Sequence, residues 1–123
     1  LLNGGERIIC IVHSGGGGTF ETIRNHLSPE ILDRIDIVSI GSAALFTDHR
    51  FRRIRNFVGK NDLVPFVCSA LFGNLAALVH EHTQYLPVRH RENPIASHQM
   101  TSHTYRSALE QLRDEYAPEL CAS

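Results

Sequence analysis

Tryptophan is absent from this chain of 123 residues, methionine occurs once, at Met100, and cysteine three times. Cys10, Cys68 and Cys121 are odd in number and lack a C-x-x-C spacing, which excludes a disulfide framework and a zinc knuckle and makes a reducing compartment the default. No apolar run approaches the roughly 20 residues that cross a bilayer, so no transmembrane segment is expected. Neither sign of charge is in excess. Twelve Lys plus Arg stand against 13 Asp plus Glu, a formal net charge of −1, and no long-range field draws the chain to nucleic acid. The one basic cluster, HRFRRIR at 49–55, reads as a solvated strand flank. The chain opens on Leu-Leu-Asn-Gly-Gly without a methionine and reads as a piece cut from a longer protein, so a signal peptide of the parent is left open.

What is present is an alternation of two periodicities. RIICIV (7–12) is a continuous β-branched run suited to a strand buried on both faces; RIDIVSIG (34–41), ending in Gly41, reads as a second buried strand, RRIRNFVG (52–59), ending in Gly59, as a third, and TQYLPV (83–88) as a fourth, shorter one. Between them, Phe20, Ile23 and Leu27 recur at helical spacing from Thr19 onward, and SPE (28–30) closes that helix or caps a short new one. VCSALFGNLAALVHE reads as a helix despite Gly73, and its LFGNLAALV portion as packed rather than as a lid. Tyr105, Leu109, Leu112 and Tyr116 mark a last helix that Pro118 should stop. The expectation is one α/β domain over 1–123: a parallel sheet of about four strands with flanking helices.

The stretch VHSGGGG puts Ser14 at the carboxyl end of the first strand, before a helix, where helix amides face outward and ligands bind in parallel sheets. With glycines behind it, the chain can turn sharply there. The hydroxyl then stands clear, with the Gly15 amide facing whatever it attacks. Ser14 could equally be a helix N-cap and the glycines a phosphate-binding turn. A serine nucleophile needs a base, and the base needs a carboxylate. NDLVP places Asp62 just beyond the third strand, and SHQMTSHTY places His98 in a loop before the last helix, both at the same sheet edge.

The order Ser, Asp, His is that of alpha/beta-hydrolases. The whole chain resembles the C-terminal half of an alpha/beta-hydrolase of the lipase and esterase kind: VHSGG is similar to the elbow, NDLVP to the acid segment and SHQMTSHTY to the terminal histidine segment. The combination is also similar, less closely, to chlamydial proteins that carry a hydrolase-like C-terminal region. The resemblance implies Ser14, Asp62 and His98 as a catalytic triad, Gly15 as an oxyanion donor, no cofactor and no metal, and a small-molecule ester or lipid as substrate. It also implies N-terminal strands that are lacking here, with the first strand left as an edge open to self-association. Val12 departs from the pattern, standing where the elbow has its first glycine, a place where a side chain would crowd strand and helix.

Other polar residues compete for these roles. Asp48 follows the second strand and is the alternative acid; Asp36 reads as solvated, and His13 as a packing residue beside the nucleophile. His80 with His82, or His90 with His98, lacks a third ligand at zinc spacing. His103 is the alternative base, but Thr101 or Ser102 should cap the last helix and place His103 in its first turn. Three rival functions stay open: a non-catalytic pseudo-hydrolase used for interaction, a phosphate-ligand domain built on SGGGG, and an amidase or peptidase with the same triad.

Overall fold

The computed structural model describes residues 6–47, 50–88 and 93–121. Four strands, β1 (Ile8–Ser14), β2 (Ile35–Ser42), β3 (Arg53–Gly59) and β4 (Thr83–Leu86), form one sheet in the order β1-β2-β3-β4. Every neighbouring pair is parallel. Parallel neighbours need crossovers, so helices and loops occupy both faces. This is the expected α/β class.

The helices are α1 (Gly15–Arg24), α2 (Pro29–Leu32), α3 (Leu63–Leu71), α4 (Pro94–His98) and α5 (His103–Cys121), with a 3-10 turn at Leu75–Val79. On one face Val38, Ile40, Phe57 and Leu86 pack against Tyr105, Ala108, Leu112 and Tyr116 of α5. On the other, Val12, Ile35, Ile37 and Ile54 meet Leu32, Phe46 and Phe51, with Phe20 of α1 alongside. β2 is buried along its whole length, its polar residues Asp36, Ser39 and Ser42 included. β1 pairs with β2 alone among the described strands, and Ile11 on it is 47% exposed.

The sequence expectations shift in five places. The first helix starts at Gly15, four residues before Thr19, because the strand runs directly into it at Ser14. The helix expected across Gly73 is two elements: Gly73 takes φ 70° just beyond α3, the left-handed conformation that ends a helix, and a 3-10 turn follows. LFGNLAALV is not packed throughout; Ala77 is buried but Leu71, Phe72, Leu75 and Val79 are exposed, since the break turns their faces outward. α5 runs past Pro118 to Cys121: the lost N–H falls in its last turn, after the stretch anchored on the sheet. Asp36, expected to be solvated, is 1% exposed, because Arg52 and Tyr116 cover it.

Candidate active site

Ser14 ends β1 and caps α1 with φ 51° and ψ −128°, the one non-glycine residue with positive φ among those described. Such a conformation costs on the order of 1–3 kcal/mol and persists where its surroundings over-determine it. Here the Ser14 carbonyl accepts the Ala43 N–H at 2.9 Å, while the register between β1 and β2 slips past Gly41, so that His13 faces Ile40 and Ser14 faces Ser42. Gly41 has φ +53°, and a Cβ on it would lie 2.6 Å from Asp62 Oδ2. Of the four glycines after Ser14, Gly17 alone is required by space: a Cβ there would sit 1.7 Å from Ser42 Oγ. The close approach of helix and strand is therefore made at Gly17, while Val12 is accommodated within the apolar cluster.

Asp62 reaches the same edge through a tight turn, its N–H donating to the Gly59 carbonyl at 3.0 Å. Its side chain then caps α3 by accepting the Val64 N–H at 3.0 Å. The carboxylate is fully buried and lies at the amino-terminal, positive end of that helix.

His98 closes the short helix α4, which starts at Asn93, whose side chain accepts the Ala96 N–H, and Pro94. Ser102 Oγ donates to the Ser97 carbonyl at 3.1 Å and ties α4 to the start of α5. This anchor holds the His98 ring between the other two residues. Nε2 lies 2.8 Å from Ser14 Oγ, and Nδ1 lies 3.0 Å from each oxygen of Asp62. With Nδ1 protonated, His98 donates to the carboxylate and accepts the serine proton, the tautomer a general base needs. Gly15, first residue of α1 and directly after Ser14 in the chain, has one of the amides without an intrahelical acceptor.

Thus Ser14, His98, Asp62 and Gly15 are brought together, with His98 in a short helix rather than in a loop. His103 opens α5, and it is His98 that lies against Ser14 and Asp62. Asp48 and His90 lie outside the described residues. Glu81 supplies the third donor that His80 and His82 lacked in the sequence, all three within 4.8 Å, but they share one surface turn and His80 Nδ1 accepts the His82 N–H at 3.3 Å. A cavity of about 630 Å³ between α1, the loop after β2 and α3 is lined by Thr22, Phe46, Cys68 and Phe72, and no triad residue lines it.

Two neighbours were not legible as site residues. His13 donates from Nε2 to the His98 carbonyl at 2.6 Å, and its ring stacks on that of His98 with centroids 4.9 Å apart. Tyr105 donates to Asp62 Oδ2 at 2.5 Å and accepts the Gly59 N–H at 3.0 Å. Burial first, and the Asp62 hydrogen bond second, push the Tyr105 phenol up, so it stays a donor. No signal short of three dimensions singles out this hydroxyl, since Tyr105 occupies a core position of the last helix.

No family model, curated protein or solved structure matches the chain.

Proposed function

We propose that the chain is a serine hydrolase-like domain that cleaves small-molecule or lipid carboxylic esters. The observation that carries the reading is the position of His98, within hydrogen-bond distance of Ser14 on one nitrogen and Asp62 on the other. Ser14 Oγ attacks the ester carbonyl carbon as its proton passes to His98 Nε2, and the oxyanion forms beside the Gly15 amide. Collapse breaks the bond to the alkoxy oxygen, which leaves as alcohol with the proton from His98. Water then adds to the acyl-serine with His98 again as base, releasing the carboxylic acid and restoring Ser14. Throughout, Asp62 holds the imidazole by accepting from its Nδ1. The same chemistry extends to amides; the ester is the less demanding substrate and the first to test.

The reading takes no cofactor. No helix among the described residues is long and apolar enough to cross a membrane. Among the described residues no strand pairs with the outer edge of β1, and self-association through that edge belongs to the proposal; sedimentation at rising concentration checks it. Turnover of a p-nitrophenyl ester, abolished by Ser14→Ala, is the expected result. If no ester is turned over while inorganic phosphate binds to wild type and Ser14→Ala alike, the phosphate-turn reading replaces it.

A further inference from the structure

We propose that Tyr105 is a positioning residue of the triad, fixing the plane of the Asp62 carboxylate so that both of its oxygens stay on His98 Nδ1. This inference rests on the hydrolase reading for its kinetic consequence, though not for its geometry. The terminal torsion of an aspartate is broad, so burial alone does not set the orientation of its oxygens. At Asp62 each oxygen is tied separately: Oδ1 accepts the Val64 N–H at 3.0 Å, and Oδ2 accepts the Tyr105 hydroxyl at 2.5 Å. With both tied, the carboxylate can present its two oxygens to His98 Nδ1 at an equal 3.0 Å.

The hydroxyl is itself oriented. Its oxygen accepts the Gly59 N–H, so its proton is directed to the carboxylate, and the ring is 0% exposed within the α5-facing core. Gly41 leaves the room for this bond, because a Cβ on it would lie 2.8 Å from the Tyr105 oxygen as well as against Asp62. A matched pair exists on the same helix: the Tyr116 hydroxyl donates to the buried Asp36 at 3.0 Å, and among the described residues Asp36 has no histidine to orient. Tyr116→Phe therefore removes a comparable bond without touching the site.

Two measurements on the full chain test the inference. The first is the labelling rate of Ser14 by a fluorophosphonate; the second is the downfield proton resonance of His98 Nδ1–H. Tyr105→Phe should slow labelling about tenfold, as loss of alignment does. It should also move the resonance further downfield, because a carboxylate with one donor fewer accepts more strongly from His98. Tyr116→Phe should leave both unchanged. An unmoved resonance or an unchanged rate in Tyr105→Phe overturns the proposal, and so does an equal effect in Tyr116→Phe. If wild type is not labelled at all, the hydrolase reading falls and the resonance alone decides. Should Tyr105→Phe not fold, the wild-type spectrum decides. A protected Tyr105 hydroxyl proton with a cross-peak to His98 Nδ1–H supports the proposal, and its absence overturns it.

Discussion

Asp36 and Asp62 stand at opposite edges of one sheet, both buried and both bonded to a tyrosine of α5. The tyrosines are eleven residues apart, about 16 Å along the helix, and lie on one face of it. The two sites part in what answers the charge. Asp36 receives the Arg52 guanidinium at 2.7 and 2.9 Å, with Arg7 at 3.7 Å. Among the described residues, the donors to Asp62 are a backbone amide, a phenol and His98, none of them an arginine or lysine. A carboxylate neutralised by guanidinium has little field left for a third group. One held by a backbone amide and a phenol keeps acceptor capacity for the imidazole. At the amino edge the carboxylate is closed off by arginine; at the carboxyl edge it holds a histidine.

Asp62→Asn should break this contrast most severely. The amide would hold His98 in the wrong tautomer, and labelling of Ser14 should fall about 10⁴-fold. Asp36→Asn should leave the labelling rate unchanged. In urea titration it should cost about 2 kcal/mol, below the roughly 3–5 for breaking a fully buried pair. The Arg52 side chain is 45% exposed, so water takes over part of the pairing. A large rate loss in Asp36→Asn would erase the distinction between the two edges.

His13→Ala should come next, with labelling slowed about tenfold, because the base loses its backbone anchor and the ring against which it stacks. His103→Ala should leave labelling near wild type; the reverse pattern would move the base. The smallest effect belongs to alkaline pH. The folded Tyr105 phenol lies above the unfolded value of about 10, so its stabilising contribution is complete below that pH and declines as pH rises through it. Tyr105→Phe should flatten that decline more than Tyr116→Phe does, since Arg53 and Arg7 pull the Tyr116 phenol back down. Thermal unfolding between about pH 9 and pH 11, on the order of one unit either side of the free phenol, checks this.

The parallel sheet was legible because short apolar segments, continuous in β1 and interrupted by polar residues in β2 and β3, alternate with helical spacing, and the four strand positions follow from them to within a few residues. Ser14 was legible as a candidate because a serine before glycines at a strand end suits a nucleophile as well as a helix N-cap, and Asp62 and His98 downstream tipped the choice. The misreadings share a cause. Asp36 looked solvated because a lone aspartate in a strand does not announce the arginine sixteen residues later or the tyrosine eighty residues away. LFGNLAALV looked packed because composition does not say which way a broken helix turns. Tyr105 looked like core because its ring is core; its hydroxyl acquires a role only when β3, α3 and α5 converge.

Mass-spectrometric mapping of the fluorophosphonate adduct addresses the central claim most directly, since only a hydroxyl served by a base should react. One phosphonyl group on the peptide carrying Ser14, lost in Ser14→Ala and in His98→Ala, is the predicted result. An adduct spread over other serines, or one on Ser14 that persists unchanged in His98→Ala, would contradict the account.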